Sequence, residues 1–367
     1  MNNAVVLRPF FKPPFAAPRK GMASATVHPF LPVRTGVPSA LTPSFETDVI
    51  NGLSQPQKAI PSTWLYDHRG SELFEEITHL DEYYPTRNET QLLRACAGAI
   101  AEAAGPRAVV IELGSGSSRK TRLLLGALDT PQAYLPIDIS AQFLEESVAD
   151  LTSLFAGLRV IPVVGDFTRI ESLPELRLLR AWGGDAGRNV VFFPGSTIGN
   201  FTPEQAIALL RRIRRFAGPD ALLIVGADST RDASVLIPAY DDREGVTAEF
   251  NKNLLVRINR ELDADFDLDA FDHQARFDAQ HQRVEMHLVS RTAQRVSVLG
   301  RIFHFAAGES IHTENAYKHS LLKFELLAAR AGWTHLQRWV DGQSRCVVHV
   351  LEVATHGRRR EQNVIVA

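Results

Sequence analysis

The stretch Val109–Thr121 constrains the fold of this chain more than any other. It joins an apolar run that contains Glu112 near its end to a turn with Gly114 and Gly116, and then to a segment of helical character. Glycines let the backbone turn tightly and approach a ligand without an intervening Cβ, and the following helix directs its free N–H groups at the turn. This order predicts the first strand, turn and helix of a Rossmann-type parallel sheet.

Acidic residues follow at the ends of the next two predicted strands. A dinucleotide-binding turn has a third glycine three residues after Gly116, where this chain has Arg119. A pyrophosphate ligand is therefore disfavoured, and S-adenosylmethionine (SAM), which carries no phosphate, is favoured. Asp138 lies at a distance that suits a carboxylate bound to a ribose diol, while Asp166 and Phe167 suit the amine and the face of an adenine. Tight turns and helix caps explain each feature singly, but the order of all three predicts a SAM-binding fold.

The composition excludes several classes of protein. The 367 residues carry a formal net charge of −2, without the basic excess of a nucleic-acid-binding protein. No apolar run reaches the roughly 18 residues that a membrane-spanning helix needs. Cys96 and Cys346 lie far apart without metal-ligand spacing, and His273 and His281 lack periodic partners and are expected to be solvated. We therefore expect no nucleic-acid partner, no membrane segment, no metal, reduced thiols and a cytoplasmic monomer.

The order of predicted elements divides the chain into two units. Residues 1–45 are basic, rich in proline and free of acids. A transit peptide, a disordered tail and an upstream start codon before a true start at Met22 all fit, and we expect a tail without function. Strands alternate with helices over 88–230, which predicts a parallel sheet, and this rhythm lapses from 231 to 314. We accordingly expect a substrate-binding α+β domain of residues 46–87 with 231–316, a SAM-binding domain of 88–230 with 317–356, and a tail of 357–367.

Boundary signals predict where the parallel unit begins and ends. Pro85 restricts Tyr84 to an extended backbone, so we expect the first helix to begin at Asn88 and to be capped by it. Helical periodicity predicts a helix from Ala316 to Ala331. A strand from Cys346 to Val353 would then complete the sheet.

Four longer motifs connect the chain to a known family. They are Tyr66-Asp67 followed by Gly70-Ser71, E-Y-Y-P-T-R at 82–87, E-L-G-S-G-S-S-R-K-T at 112–121, and F-P-G-S-T-I-G-N at 193–200. In these motifs the chain, from about residue 61 to 353, resembles the L-histidine Nα-methyltransferases of ergothioneine biosynthesis. The resemblance implies a Rossmann-type SAM-dependent methyltransferase sheet with an inserted α+β substrate-binding domain. It also implies methylation, up to trimethylation, of the α-amino group of histidine to give histidine betaine.

The same resemblance implies roles for two sets of residues. The SAM-binding set is Tyr66, Gly114, Lys120, Asp138, Asp166 and Phe167. The set that binds the amino-acid substrate is Tyr83, Gly195, Asn200, Tyr240 and Glu314, with Ala316 beside them. Lys120, near a helix N-terminus, suits the carboxylate of SAM, and Glu314 can accept an imidazole N–H. Asn200 offers a donor and an acceptor to an amino-acid head group. Beyond positioning by Tyr83, Asn200 and Tyr240, no catalytic residue is assigned.

Several of these residues also have ordinary structural interpretations, and one departs from the family pattern. Tyr83 would serve as a packing aromatic, Asn200 as a helix cap and Glu314 as a surface acid. Family members usually have a serine two residues after the imidazole-binding glutamate, where this chain has Ala316; the missing hydrogen bond is worth about 1 kcal/mol. Two alternatives therefore stay open: the same reaction on another amino acid or amine, and a SAM-binding protein without activity. The joint presence of Tyr83, Asn200, Tyr240 and Glu314 disfavours the second.

Overall fold

The computed structural model describes residues 44–116, 118–181, 187–343, 345–354 and 363–366. The α-helices of this part of the chain are α1 Phe45–Leu53, α2 His68–Ile77, α3 Tyr84–Ala104, α4 Arg119–Ala127, α5 Ala141–Leu154, α6 Pro174–Ala181, α7 Pro203–Ala217, α8 Ala233–Tyr240, α9 Val246–Glu261 and α10 Leu321–Arg330. The strands are β1 Lys58–Ala59, β2 Val109–Leu113, β3 Ala133–Asp138, β4 Arg159–Val160, β5 Val163–Val164, β6 Asn189–Phe193, β7 Leu222–Asp228, β8 Phe271–Asp278, β9 Arg283–Ser290, β10 Gln294–Val298, β11 Arg301–Phe305, β12 Ser310–Tyr317, β13 Trp333–Val340, β14 Cys346–Val353 and β15 Asn363–Val366.

The larger sheet has parallel strands at its centre. Its order is β15-β13-β14-β7-β6-β2-β3-β4, and β5 also pairs with β3. The strands from β4 to β7 in this order run parallel, and β2, β6 and β7 are buried along their whole length. Full burial is expected where helices cover both faces of a sheet. The predicted α/β fold class with a Rossmann-type sheet is confirmed.

Two apolar cores lie on opposite faces of this sheet. Successive side chains of a strand point to opposite faces, so Val110 and Ile111 of β2 enter different cores. Ile111 packs with α6, α7 and α10. Val110 packs with α3, α4 and α5. The sheet edge formed by the carboxyl ends of the parallel strands is thereby held rigidly between two helix layers.

The C-terminal part of the sheet differs from the sequence prediction. The helix predicted from Ala316 to Ala331 is wrong over its first turn, because Ala316 and Tyr317 end β12. The helix begins only at Leu321, after Ser320, whose hydroxyl accepts the N–H of Lys323. The sequence prediction also lacks β13, in which half-buried polar residues interrupt the apolar pattern. The predicted strand Cys346–Val353 is confirmed and lies between β13 and β7, antiparallel to both.

The first helix of the parallel unit starts earlier than the sequence indicates. The helix α3 begins at Tyr84 and not at Asn88, and Pro85 lies in its first turn. Proline is well tolerated there, because its missing N–H would have no partner within the helix. The bend in the backbone falls on Tyr83, which has a ψ angle of 74°.

A second sheet combines three strands from the chain between β7 and α10 with the early strand β1. Its order is β1-β12-β9-β8, and β10 and β11 form a separate hairpin. This sheet shares an apolar core with α1, α2, α8 and α9, in which buried residues from 45–84 meet buried residues from 236–316. Strand β12 has a bulge between His312 and Glu314.

The two chain ends can be compared with the predicted tails only in part. Residues 1–43 lie outside the described residues, and α1 begins at Phe45, capped by Ser44. Within the predicted tail 357–367, residues 363–366 form β15, which pairs parallel with β13. Residues 355–362 and 367 lie outside the described part.

Candidate active site

A cavity of about 640 Å³ opens at the carboxyl ends of the parallel strands, and a side cavity of about 50 Å³ shares part of its wall. Ligands of open α/β sheets bind at this edge. The predicted SAM-binding residues Tyr66, Gly114, Lys120, Asp138, Asp166 and Phe167 all line the large cavity, as do Tyr83, Gly195, Asn200 and Glu314. Tyr240 lines the side cavity. The structure thus brings both predicted sets to adjoining spaces.

The glycine turn after β2 forms one wall of the large cavity. Gly114 and Gly116 have φ angles of 71° and 47°, a region that favours glycine. The carboxylate of Asp138 accepts the N–H of Gly116 at 3.3 Å and the N–H of Ser140 at 3.0 Å. Burial raises the pKa of Asp138, and these backbone donors act in the opposite direction. A half-buried acceptor therefore lines the cavity beside the glycine turn.

Asp166 and Phe167 line the same cavity from the third strand end. The Thr168 N–H and hydroxyl both donate to Asp166 Oδ1, at 2.8 Å and 2.6 Å. The Phe167 ring packs edge-on against Phe193 and Phe201, with centroid distances of 5.5 Å and 6.3 Å. An ideal Cβ at Gly114 would lie 3.7 Å from the Phe167 ring. The aromatic face is thus fixed close to the glycine turn.

Lys120 is held by a residue that the sequence prediction missed. Its ammonium pairs with Glu89 of α3, and the same carboxylate accepts the N–H of Gly195 at 2.8 Å. Glu89 is 2% exposed. Glu89 lies outside the four sequence motifs, so no sequence signal pointed to it. A buried carboxylate nevertheless requires such partners.

Three tyrosines surround the side cavity. Tyr66, Tyr83 and Tyr240 all line it, and the Tyr83 and Tyr240 rings meet edge-on at 6.2 Å. Burial raises the pKa of all three phenols well above the usual value. They therefore keep their protons and act as hydrogen-bond donors. Phe74 and Phe250 complete an aromatic wall.

Glu314 is the acid of this aromatic pocket. It follows the bulge of β12, and burial raises its pKa to about 8, while Lys318 and a hydrogen bond from Asn200 act in the opposite direction. Asn200 is not the cap of α7, because Thr202 fills that place with a capping box. The helix-cap interpretation of Asn200 and the surface interpretation of Glu314 are therefore both wrong.

Ala316 lies beside the pocket without lining it. It is 6% exposed and pairs with Val284 in the register of β12 with β9. It belongs to the apolar core that the second sheet shares with α1, α2, α8 and α9. It is absent from the described residues that line either cavity. In β12 it follows Glu314 by two residues, which places both side chains on the same face of the strand.

Comparison with known proteins agrees with this geometry. Residues 45–353 match the family model described as histidine-specific methyltransferase, SAM-dependent. The chain belongs to this family. It is 41% identical over 300 residues to the histidine N-alpha-methyltransferase of Mycolicibacterium smegmatis, a match that covers 80% of this chain and 90% of that protein. The protein of the same name from Mycobacterium tuberculosis is also 41% identical, over 80% of this chain and 90% of its own length. Ergothioneine biosynthesis protein 1 of Neurospora crassa is 28% identical, over 78% of this chain and 32% of its length.

The residues present in this histidine-specific methyltransferase fit the SAM that its family uses. The hydroxyl of Ser115, in the glycine turn, is buried in the cavity wall and has no hydrogen-bond partner among the described residues. The Asp138 carboxylate can accept ribose hydroxyls, and Phe167 offers an aromatic face. The Lys120 ammonium suits the carboxylate of the methionine part. SAM would supply an electrophilic methyl group and a neutral sulfur leaving group.

The backbone of Tyr240 is held by a histidine for which the sequence predicted a different environment. His273 was expected to be solvated, but its side chain is 1% exposed. Its Nε2–H donates to the carbonyl of Tyr240 at 2.8 Å, and Asn251 donates to its Nδ1 at 2.9 Å. Burial lowers the pKa of His273. The prediction that His273 is solvated is therefore wrong. Its buried imidazole instead binds the backbone at the end of α8.

One group of side chains in the second sheet resembles a metal site. Ligand-type atoms of Glu285, His287 and His312 lie within 4.8 Å of one another. Glu285 is paired with Arg283, and His287 contacts both Glu285 and Ser310 at 3.0 Å. These partners form a closed ion-pair and hydrogen-bond network, which is an ordinary way to satisfy buried polar groups.

Among the described residues, no helix combines the length and the apolar character needed to cross a membrane.

Proposed function

We propose that this protein transfers a methyl group from SAM to the α-amino group of L-histidine. The observation that carries the proposal is the shared wall of the two cavities. The open glycine turn and Asp138 face the large cavity, while Glu314 and Asn200 border both spaces. A methyl donor in the first space and an amino acid in the second would therefore meet.

The chain's own residues would act mainly by positioning. Tyr83, Tyr240 and Asn200 would donate hydrogen bonds to the substrate carboxylate and orient the amine. Correct orientation of reacting groups lowers a barrier by several kcal/mol. The amine must lose its proton before transfer, because an ammonium has no lone pair. We assign no side chain as general base, and the raised pKa of the three tyrosines favours their action as donors.

Recognition of the side chain would fall to Glu314. Its carboxyl group lies beside an aromatic wall that suits an imidazole ring, and it can accept a ring N–H. An apolar substrate side chain would offer Glu314 no ring N–H and would leave Asn200 as its hydrogen-bond donor, which disfavours binding. We also propose that residues 46–87 and 231–316 act together as the substrate-binding domain, because Tyr66, Tyr83, Tyr240 and Glu314 all come from them.

The proposed product is histidine betaine, formed by three successive transfers, as a precursor in ergothioneine biosynthesis. The aromatic faces of Tyr83 and Tyr240 support this proposal, because they can stabilise a growing quaternary ammonium through cation–π attraction. The monomeric state and the cytoplasmic location stay predictions.

An alternative function is the same reaction on another amino acid or amine. Ala316 favours this alternative, because the serine usual in the family would offer a hydroxyl on the face of β12 that also carries Glu314. Without it this face of β12 offers no hydroxyl beside Glu314.

Methyl transfer to a panel of substrates tests the proposal. Purified protein is incubated with SAM and histidine, phenylalanine, tryptophan or histidinol, and the products are analysed by mass spectrometry. We expect histidine to be methylated most efficiently and Glu314→Ala to lose most of this preference. Glu314→Gln, which keeps an acceptor oxygen, is the matched control and should lose less.

Methylation of another amino acid but not of histidine would favour the alternative. Binding of SAM without any methylated product would contradict both functions.

A further inference from the structure

A buried ion pair lies directly behind Tyr240. Lys318 follows β12 and is 3% exposed, and Asp228 ends β7 and is 2% exposed. Lys318 Nζ lies 2.8 Å from Asp228 Oδ2 and 2.8 Å from the hydroxyl oxygen of Tyr240. The hydroxyl of Tyr84 donates to the same Asp228 oxygen at 2.5 Å. Lys318 therefore touches a tyrosine of the side cavity without lining that cavity.

The chemistry of this contact fixes the direction of a hydrogen bond. An ammonium group only donates, so the Tyr240 oxygen accepts from Lys318. Burial keeps the pKa of Tyr240 well above its usual value, and the phenol retains its own proton. With Lys318 occupying the oxygen from behind, the Tyr240 O–H remains available to an acceptor in the side cavity that its ring lines.

The side cavity, as far as its lining is described, lacks a cationic side chain that could balance the carboxylate of a substrate. The described residues that line it include no lysine or arginine, and Glu314 is their single acid. An amino-acid substrate brings a carboxylate into this space, and a buried carboxylate needs donors or a nearby cation. Lys318, whose charge Asp228 balances, supplies a charged donor that reaches the cavity through its contact with Tyr240.

We propose that Lys318 is a positioning residue for the carboxylate of the substrate, acting through Tyr240. By donating to the phenol oxygen, it commits the Tyr240 hydroxyl to donate into the side cavity and strengthens that bond. This inference rests on the proposed function, because it assumes an amino-acid substrate. It identifies a functional residue that does not line the cavity, and it assigns a direction to the hydrogen bond of the Tyr240 hydroxyl.

A purely structural role is the rival explanation. Lys318 also neutralises Asp228, and the next residue, His319, donates its N–H to the Asp228 carbonyl at 2.7 Å. The pair thus joins β12 to β7. A structural role would be lost equally with or without the Tyr240 hydroxyl, and it would affect SAM and substrate binding alike.

A double-mutant cycle separates the two roles. Histidine binding is measured by calorimetric titration for wild type, Lys318→Met, Tyr240→Phe and the double variant. We expect Lys318→Met to weaken histidine binding roughly tenfold to hundredfold, as for loss of a charge-assisted hydrogen bond. In the Tyr240→Phe background the same change should weaken it less than about twofold. SAM affinity should stay unchanged throughout.

Histidinol, which has an alcohol in place of the carboxylate, is the matched probe. Its affinity should change less than about twofold in Lys318→Met, because the carboxylate that needs the polarised donor is absent. The variant Lys318→Met with Asp228→Asn removes the whole ion pair and guards against misfolding from an unpaired buried charge. It should recover the melting temperature but keep the loss of histidine affinity.

Equal losses in both Tyr240 backgrounds, or equal losses for histidine and histidinol, would overturn this inference while leaving the proposed function intact. Recovery of histidine affinity in the neutral pair variant would also overturn it. Wild-type protein that binds no histidine would overturn the proposed function, and this inference with it.

Discussion

The carboxylate of Glu89 joins the ammonium of Lys120 to the backbone N–H of Gly195. The side chain of Glu89 is 3% exposed and that of Lys120 is 17% exposed, so the ion pair has little contact with water. Lys120 belongs to the proposed SAM-binding set and Gly195 to the proposed substrate-binding set. One buried carboxylate therefore fixes a residue from each set.

This ion pair allows the role of Lys120 to be separated from its contribution to folding. Lys120→Met and Glu89→Gln each break the pair and should lower the melting temperature, because the remaining charge loses its partner. Lys120→Met alone should weaken SAM binding, by roughly tenfold to hundredfold for a lost charged contact. Calorimetric titration with SAM, beside thermal unfolding, checks both. An equal loss of SAM affinity in Glu89→Gln would show that Lys120 acts only through the fold.

Asn200 should hold the head group of the substrate. Asn200→Asp keeps the shape but places a second carboxyl group beside Glu314 and near the substrate carboxylate, so we expect histidine affinity to fall at least about tenfold through charge repulsion. SAM affinity should hold. Thr202→Ala is the matched control, since it removes the actual cap of α7 and should lower stability by about 1 kcal/mol without changing histidine binding. Unchanged histidine binding in Asn200→Asp would exclude the proposed role.

Ala316→Ser should improve histidine binding if the pocket is tuned to histidine. A recovered hydrogen bond would raise the affinity up to roughly tenfold. Ala316→Val adds bulk without a hydroxyl and should weaken binding by crowding the buried strand. The measurement is histidine titration of both variants. Weakened binding in both would mean that residue 316 serves packing alone, and would favour another substrate side chain.

The buried histidines should make a contribution to stability that is lost as the pH falls below neutral. Burial lowers the pKa of His319 and of His335 to about 4, and it also lowers that of His349 well below its usual value. The unfolded chain, with histidine pKa values near 6.5, then binds more protons than the folded chain. This stability is complete above about pH 6.5 and is lost between about pH 6.5 and 4, with a slope up to about 1.4 kcal/mol per pH unit for each histidine.

Urea unfolding at several pH values tests this dependence. His319→Gln removes one buried titrating ring and should reduce the slope between pH 6.5 and 4. His304, which is exposed, provides the control His304→Gln, whose slope should match the wild type. Identical slopes for all three proteins would contradict the assignment to the buried histidines.

The parallel sheet was accessible to sequence reasoning because its signals are local. The run Val109–Leu113 and the glycines after it determine a strand and a turn without help from distant residues. The boundaries of α3 and α10 were harder to predict. Pro85 is compatible both with an extended preceding residue and with a helix start. Ala316 is apolar enough for a helix, but it is paired in β12 by a partner strand that lies far away in sequence.

The site residues also fall into those that the sequence could predict and those that it could not. Asp138, Asp166 and Phe167 follow directly from strand ends, and the family resemblance supplied Tyr240 and Glu314. Glu89 and Lys318 carry no motif, since each acts through a contact between distant segments. Such contacts depend on tertiary packing, and a single sequence does not display them.

A glycine within β7 lies directly against the carboxylate of Glu89. An ideal Cβ on Gly226 would lie 1.7 Å from Glu89 Oε1. No side chain can occupy this position while Glu89 stays where it is. Residue 226 and Glu89 therefore constrain each other: any larger residue at 226 requires the Glu89 carboxylate to move, which would change its contacts with Lys120 and Gly195.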